Sequence, residues 1–464
     1  MSNQEVKEDN QTEVDNQVKE ENQTNLDNQK RADNQKRADN QISTDNQVKI
    51  DNQVKIDNQV KIDNQVQSAS QTAKRTVDNL APGVLADFDV ETVIYKDFTP
   101  EVIAELGQLL QEGKLVAIPT ETVYGLGANG LDEVAMGRIY EAKGRPSDNP
   151  LILHVPNSEA VAPLVQEVPL VAKRLMEVFW PGPLTIIMPK SEAVPLRATG
   201  GLLNVALRCP DHEICRQILL AAGVPVAAPS ANISGRPSPT TASDVYEDMK
   251  GRIEAIADAG PCEVGLESTI VECHAKGVTI LRPGAITKAM LEAVLGEGQV
   301  DFDEALTAPE VAPKAPGMKY KHYAPNANLI TLVGTNKELS KALGEVLETR
   351  GRFVSCMIDY KDSSQFKVAV TPFSEADKIG LLVSEEVAAE LKGTLDHFAL
   401  PYHLIVYGKS SDYKSLARKL YRSLLEFNEA KVTRIFATGV KPEGLGKAIM
   451  NRLDKASAHQ VFYI

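Results

Sequence analysis

Residues 114–155 read KLVAIPTETVYGLGANGLDEVAMGRIYEAKGRPSDNPLILHV, and we expect the surrounding fold to be organised around this stretch. The apolar run from Leu115 to Ile118 has the length of a buried strand, and Pro119 ends it. Hydroxyl, carboxylate and phenol side chains follow at once, between Thr120 and Tyr124. Buried polar groups need partners. Polar side chains gathered at a strand end therefore indicate a binding site in which a ligand is the partner.

A helix and a cationic loop follow this strand end. Apolar residues recur at close to helical spacing between Leu131 and Ala142, and acidic residues favour the helix N-terminus. The next segment carries Lys143 and Arg145, and its glycine and prolines exclude a helix up to Pro150. Two cations held close together in a non-helical loop predict an anion-binding site.

The glycines at 125, 127 and 130 match the G-x-G-x-x-G pattern of dinucleotide-binding folds. Six residues separate the predicted strand from Gly125, however, and Asp148 lies between prolines rather than at the tip of a second strand. We therefore interpret the glycines as a turn. A nicotinamide-dependent dehydrogenase remains an alternative that titration with NADH would reveal.

Composition limits the class of protein. The chain has 464 residues, enough for two or three domains, and its formal net charge of −13 argues against a protein that coats nucleic acid. It contains no apolar run of about 18 residues and no signal-peptide pattern, so we expect a soluble cytoplasmic protein with no membrane partner. The five cysteines are scattered and never in C-x-x-C spacing, which predicts neither a disulfide framework nor a zinc site.

The first 86 residues differ from the rest of the chain. An acidic residue recurs every six positions from Asp9 to about Val66, usually followed by Asn-Gln. Six residues advance a helix by about 240°, so no apolar stripe accumulates, and we expect a disordered repeat tail and linker. A solenoid of hexapeptide strands is the alternative, because valine and isoleucine of the last repeats fall on one face of an extended chain.

The remaining chain alternates predicted strands and helices. This alternation predicts an α/β domain at 87–300 and a smaller parallel α/β domain at 327–464. A proline-rich linker at 301–326 joins them. Its aromatic and cationic residues at 316–325 suggest a strap over a site, and a simple spacer is the alternative that its composition equally allows. Within the first domain, residues 160–179 have a helical pattern.

Further polar side chains fall at predicted strand ends. Arg208 ends the strand 204–210, where it could clamp a carboxylate or form a surface ion pair. Ser230 and Asn232 follow the next apolar run, and small polar groups of this kind let a polyanion approach the backbone. His154 lies in a short strand and is either a core residue or a ligand contact.

Five motifs together resemble the L-threonylcarbamoyladenylate synthase family in its two-domain form. They are Pro119-Thr-Glu-Thr-Val-Tyr-Gly125, Lys143-Gly-Arg145, Trp180-Pro-Gly-Pro-Leu-Thr185, Ser230-Ala-Asn232 and His322-Tyr-Ala-Pro325. The resemblance covers residues 92–464 and implies a YrdC-like twisted mixed-sheet catalytic domain followed by a Rossmann-like parallel α/β domain. The repeat tail has no counterpart in the family pattern.

The resemblance implies a reaction. Members of the family convert L-threonine, bicarbonate and ATP to threonylcarbamoyl-AMP and pyrophosphate, as nucleotidyltransferases. The product is used to form N6-threonylcarbamoyladenosine at position 37 of tRNA, so a downstream tRNA threonylcarbamoyl transferase complex is the implied partner. A displacement at the α-phosphate needs positioning and charge neutralisation more than a protein nucleophile, and the sequence offers cations and hydroxyls.

The resemblance also implies roles for individual residues. The catalytic residues would be Lys143, which neutralises developing phosphate charge, and Arg145. L-Threonine and its carbamate would be bound by Thr122, His154, Arg208, Ser230 and Ser268. ATP would be bound by Arg145, Asn149, Asn204, Asn232, Thr240, Arg282 and Tyr323, the last of which covers the site from the strap. Mg²⁺ would be held mainly by the nucleotide, because no dedicated ligand cage is visible in the sequence.

Two rival functions use the same motifs. A YrdC-like protein could bind RNA, even weakly, through Lys143 and Arg145 without making the adenylate. A carbamoyltransferase with zinc-finger modules would need C-x-x-C pairs, and their absence from the sequence excludes it.

Overall fold

A computed structural model describes residues 90–306, 322–351, 354–357, 365–368 and 372–464. The hexapeptide repeats and residues 307–321 of the linker lie outside the described residues, so the predictions made for them stay untested. The described part of the chain forms two β-sheets, one from each of the two predicted α/β segments.

The first segment contains eleven strands and six α-helices. The strands are β1 (Val93–Tyr95), β2 (Val116–Ile118), β3 (Gly125–Asn129), β4 (Ile152–His154), β5 (Leu184–Pro189), β6 (Asn204–Arg208), β7 (Val226–Ala227), β8 (Ala255–Ala257), β9 (Thr269–His274), β10 (Gly277–Arg282) and β11 (Val300–Phe302). The helices are α1 (Pro100–Gln111), α2 (Glu133–Lys143), α3 (Leu170–Phe179), α4 (Glu213–Ala222), α5 (Ala242–Met249) and α6 (Lys288–Leu295). The strands form one mixed sheet in the order β1-β8-β2-β3-β7-β4-β6-β5-β9-β10-β11.

The described residues of the second segment form seven strands and four α-helices. The strands are β12 (Asn328–Val333), β13 (Val354–Met357), β14 (Gln365–Val368), β15 (Ile379–Val383), β16 (Tyr402–Val406), β17 (Arg434–Thr438) and β18 (Val461–Tyr463). The helices are α7 (Asn336–Glu348), α8 (Glu385–Asp396), α9 (Tyr413–Glu429) and α10 (Leu445–Ala456). The sheet order is β14-β13-β18-β12-β17-β15-β16, and its five strands from β18 to β16 are parallel. The predicted fold class, a mixed-sheet domain followed by a parallel α/β domain, is confirmed.

Local sequence sets the bounds of α2, which delivers the cationic loop. The Asp132 carboxylate accepts hydrogen bonds from the backbone N–H groups of Val134 and Ala135 and so caps the first turn. Gly144 ends the helix with φ of 60°, a left-handed conformation that glycine adopts without steric cost. The chain therefore leaves the helix directly after Lys143 and carries Arg145 into the loop.

The interpretation of the glycine pattern as a turn is wrong, and so is the dinucleotide alternative. Residues 125–129 form β3, which pairs antiparallel with both β2 and β7. A Cβ at Gly127 would lie 3.0 Å from the Val116 carbonyl oxygen and 3.0 Å from a Val226 methyl group. The glycine is needed because neighbouring strands and side chains leave no room for a larger residue, and not because the chain turns around a phosphate.

The continuous helix predicted for 160–179 is also wrong. A 3₁₀-helix spans Glu159–Leu164, and α3 begins only at Leu170. Pro163 and Pro169 explain the break, because proline lacks the N–H group that an α-helix requires and disfavours helical geometry in the preceding residue.

Packing joins the two segments. Val123 and Leu266 of the first segment and Tyr323 of the strap belong to the same buried apolar cluster as Leu420 and Leu453 of helices α9 and α10. Among the described residues, none of the helices is both long and apolar enough to span a bilayer.

Candidate functional site

A cavity with about 620 Å³ of empty space, part of it open to solvent, lies where the loops after β2, α2 and β7 and the carboxyl ends of β4, β6 and β10 meet the strap. Seven of the side chains predicted from sequence line it: Arg145, His154, Arg208, Ser230, Ser268, Arg282 and Tyr323. They come from positions up to 178 residues apart (323 − 145). The structure therefore brings the separate motifs of the sequence to one place.

Three arginines give the cavity a positive lining in an acidic chain. Arg208 pairs with Glu121 at 2.6 Å, and both side chains are buried. Arg282 donates from Nε to the Ser268 carbonyl at 3.0 Å and from Nη2 to the Ser268 hydroxyl at 3.2 Å. Arg145 donates to the Pro150 carbonyl at 3.2 Å, while its Nε has no hydrogen-bond partner among the described residues. Burial lowers the pKa of Arg145 to about 10, so it is charged at neutral pH.

Lys143 lies behind this lining and not in it. Its Nζ donates to the carbonyl oxygens of Ser230 and Asn232, each at 2.5 Å, and lies 3.5 Å from the Asn232 Oδ1. The Ser230 hydroxyl also donates to that Oδ1 at 2.5 Å. Burial, followed by the charge of Arg145, lowers the pKa of Lys143 well below its usual value. The Lys-x-Arg and Ser-x-Asn motifs thus form one hydrogen-bonded unit that presents Ser230 to the cavity.

His154 and Arg208 are neighbours across the parallel pair β4 and β6. The Nδ1 of His154 is 3.2 Å from the Ile152 carbonyl oxygen, which makes Nδ1 the donor in a neutral ring and leaves Nε2 as an acceptor. Burial, with the charge of Arg208 second, lowers the pKa of His154 from 6.5 to about 3. The cavity therefore contains a neutral imidazole beside a guanidinium.

The other predicted residues are not part of the cavity lining. Thr122 contacts the lining residue Thr120, with 2.8 Å between the two hydroxyl oxygens, and Asn149 precedes the lining residue Pro150. Thr240 is buried next to the cap of α5. Asn204 begins β6, four residues before Arg208, and donates to Glu272 at 3.2 Å. Since side chains alternate along a strand, Asn204 and Arg208 share one face of the sheet.

The strap covers the cavity with Tyr323 and His322. Tyr323 is buried, stacks on Tyr421 of α9 at 5.1 Å between ring centroids, and has φ of 64°. A left-handed conformation is unfavourable for a residue with a bulky side chain. Tertiary packing therefore holds Tyr323 in place, and such local strain is concentrated at functional sites.

Three polar side chains that line the cavity were assigned no individual role from the sequence. Thr120 and His322 belong to two of the five motifs that carry the family resemblance, so their position in those motifs could have indicated a role in the site. Glu267 directly precedes Ser268, and an acidic residue between apolar and hydroxyl residues gave no indication of its partners.

Family models match most of the described chain. A model of the Sua5, YciO and YrdC family, described as telomere recombination, matches residues 108–284. A model of the C-terminal domain of threonylcarbamoyl-AMP synthase matches residues 286–458. The threonylcarbamoyl-AMP synthase of Pyrococcus abyssi is 41% identical over 356 residues, which cover 76% of this chain and 94% of that relative. This chain belongs to the threonylcarbamoyl-AMP synthase family.

Other relatives agree with this assignment. The threonylcarbamoyl-AMP synthase of Bacillus subtilis is 40% identical over 360 residues, covering 77% of this chain and 94% of the relative. The crystal structure of Pyrococcus abyssi Sua5 in complex with L-threonine superposes with a TM-score of 0.68 at 38% identity, covering 81% of this chain and 99% of that one. The threonylcarbamoyl-AMP synthase fold thus extends over both sheets.

Glu121→Gln is expected to destabilise this member of the threonylcarbamoyl-AMP synthase family by about 2 kcal/mol, because Arg208 would keep its charge in a buried place without a counter-ion. Urea denaturation measures the loss. Glu213→Gln is the matched control, since the exposed Glu213 also pairs with an arginine, Arg216, at 2.7 Å. Equal denaturation midpoints for the two variants would contradict the importance of the buried pair.

His154→Gln is expected to make the stability of the family fold less sensitive to acid. The folded pKa of His154, about 3, lies below the unfolded value of 6.5, so the unfolded chain binds one more proton between these values. The stability due to a neutral His154 is fully present above pH 6.5 and is lost as the pH falls towards 3. Glutamine does not titrate. The urea midpoint should therefore decrease less between about pH 8 and about pH 5 for His154→Gln than for the parent. His459→Gln, at an exposed site, is the control. An equal fall for parent and His154→Gln would contradict the prediction.

Proposed function

We propose that this protein is a nucleotidyltransferase that converts L-threonine, bicarbonate and ATP to threonylcarbamoyl-AMP and pyrophosphate. Membership of the threonylcarbamoyl-AMP synthase family supports the reaction. We further propose that the product passes to a tRNA threonylcarbamoyl transferase complex. Residues 87–300 would form the catalytic domain, 301–326 the linker and strap, and 327–464 the C-terminal domain.

The observation that carries the proposal is the cavity, partly open to solvent, whose lining includes three arginines, the neutral imidazole of His154, a second histidine, His322, and several hydroxyl groups. A site with localised positive charge inside a chain of net charge −13 suits a small polyanion such as a triphosphate. The neutral imidazole and the hydroxyl groups suit a ligand with both donors and acceptors, such as an amino acid. The relative from Pyrococcus abyssi has been crystallised with L-threonine.

We assign the two substrates to two ends of one surface. L-Threonine and its carbamate would contact the end formed by Thr122, His154, Arg208, Ser230 and Ser268. ATP would use Arg145, Asn149, Asn204, Asn232, Thr240, Arg282 and Tyr323, while Lys143 adds positive charge behind the Ser230 loop. Ala206 lies between Asn204 and Arg208 on β6, and Ile152 lies opposite it on β4. This apolar floor would suit the adenosine.

The reaction has two steps that conserve atoms. The amino group of L-threonine forms a bond to the carbon of bicarbonate and water leaves, which gives a carbamate. A carbamate oxygen then bonds to the α-phosphorus of ATP, and the bond from that phosphorus to the bridging oxygen breaks as pyrophosphate takes the electron pair. Arg145 and Arg282 would neutralise the charge that develops on the phosphate oxygens. Arg208 would hold the threonine carboxylate, and Nε2 of His154 would accept a hydrogen bond from a donor of the substrate.

The Mg²⁺ implied by the family resemblance would come with the nucleotide. Among the described residues, no group of three or more His, Cys, Asp or Glu side chains could hold a metal ion. The lining is rich in cations and hydroxyls, and phosphate oxygens are the ligands that Mg²⁺ prefers. The chain itself would supply the binding pocket for the triphosphate around that ion.

Pyrophosphate release from ATP tests the proposal. Purified protein is assayed with L-threonine and bicarbonate each present or withheld, and release is expected only when both are present. Cleavage of ATP that ignores threonine, or no cleavage under any condition, would refute synthase activity.

The alternative function is RNA binding without adenylate formation. The pyrophosphate assay does not measure RNA binding, so a separate experiment is needed. Tyr323→Ala is expected to impair pyrophosphate release, because the ring closes the cavity, and to leave binding of RNA to an open surface unchanged. Fluorescence anisotropy with labelled RNA measures the second quantity. Tight RNA binding by a parent protein that releases no pyrophosphate would favour the alternative.

A further inference from the structure

Arg452 is a fully buried arginine of the C-terminal segment that contacts the walls of the cavity from behind. It lies on α10 and has no exposed surface. Its Nε donates to Glu267 at 3.0 Å, and its Nη1 donates to the Pro283 carbonyl at 2.7 Å. Its guanidinium carbon lies 5.9 Å from the centroid of the Tyr323 ring. One side chain thus contacts three segments that are distant in sequence.

Each of these three segments contributes a cavity residue. Glu267 precedes Ser268, Pro283 follows Arg282, and Tyr323 comes from the strap. Arg282 also donates to both the carbonyl and the hydroxyl of Ser268, so the first two segments are coupled. A displacement of Arg452 would therefore shift Ser268, Arg282 and Tyr323 together.

Glu267 is the centre of this arrangement. Its carboxylate accepts hydrogen bonds from Arg452, from the Tyr421 hydroxyl at 2.9 Å and from the Ser238 hydroxyl at 2.7 Å. Burial alone would raise its pKa, but Arg452 and Arg282 outweigh burial and lower the pKa to about 2. The pair is therefore ionised at neutral pH. Removal of one member of such a buried pair leaves an uncompensated charge.

We infer that Arg452 is a positioning residue of the adenylate-forming reaction, which holds Ser268, Arg282 and Tyr323 in their reactive arrangement. The inference rests on the proposed function. It makes the C-terminal segment a structural part of the active site, since Arg452 and Tyr421 both belong to it. Misplacement of reacting groups by about 1 Å can cost about 10²-fold in rate, so the effect of losing Arg452 should be large although Arg452 does not line the cavity.

Arg422 provides a matched control. It lies on α9, in the same C-terminal segment, and pairs with Asp244 of the first segment at 2.7 Å. Neither residue lines the cavity. Both arginines therefore make an ion pair between the segments, but Arg422 is partly exposed and also pairs with Glu429 of its own helix, and its ion pairs among the described residues involve no wall of the cavity.

The test compares Arg452→Lys, the double variant Glu267→Gln/Arg452→Met and Arg422→Met with the parent. Lysine keeps the charge but cannot reach Glu267 and the Pro283 carbonyl together, and the double variant removes both buried charges so that folding is preserved. Threonine- and bicarbonate-dependent pyrophosphate release gives kcat and KM, and circular dichroism and urea midpoints report folding. We expect kcat/KM for L-threonine to fall about 10²-fold in the Arg452 variants that remain folded, and to change less than about threefold in Arg422→Met.

Two outcomes would overturn the inference. One is unchanged kcat and KM in both folded Arg452 variants. The other is an equal loss in Arg422→Met, which would mean that any weakened contact between the segments lowers activity. Absence of release by the parent would instead refute the proposed function, so the two failures are distinguishable.

Discussion

Arg145→Met is expected to lower kcat for pyrophosphate release by about 10²–10³-fold, the range seen when one preorganised charge-stabilising group is removed from an active site. Arg145 lines the cavity, and its Nε has no hydrogen-bond partner among the described residues, so the group is available to a phosphate oxygen. Methionine keeps much of the side-chain volume and removes the charge. Folding should change little, because the Arg145 side chain makes only one hydrogen bond to the described residues, to the Pro150 carbonyl at 3.2 Å.

Arg138→Met is the control for Arg145→Met. Arg138 belongs to the same helix–loop region, pairs with Glu254 at 2.6 Å and does not line the cavity. Steady-state assays of both variants at varied ATP concentrations distinguish a role in catalysis from a role in the structure of this region. If Arg145→Met retained kcat within about threefold of the parent, Arg145 would not stabilise the transition state.

Gly265→Ala is expected to lower the free energy of unfolding by about 4 kcal/mol and to reduce activity with it. Gly265 has φ of 77°, and a Cβ there would lie 2.4 Å from the Cα of Arg418 and 2.7 Å from the Ala417 carbonyl oxygen on α9. Backbone atoms cannot rotate away, so the two segments would have to separate. The Gly265 N–H also donates to the Thr122 carbonyl at 3.1 Å, which would transmit the shift to the cavity.

Gly260→Ala distinguishes the destabilisation caused by the steric clash from that caused by the left-handed backbone conformation. Gly260 has φ of 90°, yet a Cβ there meets no atom within 4 Å. It should therefore lose only the about 1–2 kcal/mol that a left-handed alanine costs. Urea denaturation of both variants gives the difference, and equal losses would show that contact with α9 does not restrict residue 265.

The cationic loop and the strand ends were predictable because their signals are local. Asp132, Gly144 and the prolines that follow set the bounds of α2 and of the loop through hydrogen bonding and backbone sterics. Arg208 ends a short apolar strand, and a polar residue at that point faces the rim of the sheet. These features depend on residues within a few positions of one another.

Other features depend on distant residues and were not predictable. The glycine-rich segment forms β3 because Val116 and Val226 lie on either side of it, which nothing in residues 125–130 indicates. Lys143 was predicted to neutralise phosphate charge, and nothing in its motif indicated that its Nζ would contact carbonyl oxygens 87 and 89 residues away. The position of such an ammonium group is decided by tertiary packing and not by its own motif.

The buried pair of Glu267 and Arg452 joins residues 185 positions apart and so limits how chains of this kind can recombine. A crossover within 301–326 would separate the carboxylate from its cation. If the C-terminal half came from a chain without arginine at 452, Glu267 would be a buried charge without a counter-ion. If the N-terminal half came from a chain without an acidic residue at 267, Arg452 would be the uncompensated charge. Selection would therefore favour inheritance of the two halves together. A laboratory chimera would need residues 238, 267, 421 and 452 to be exchanged as a set.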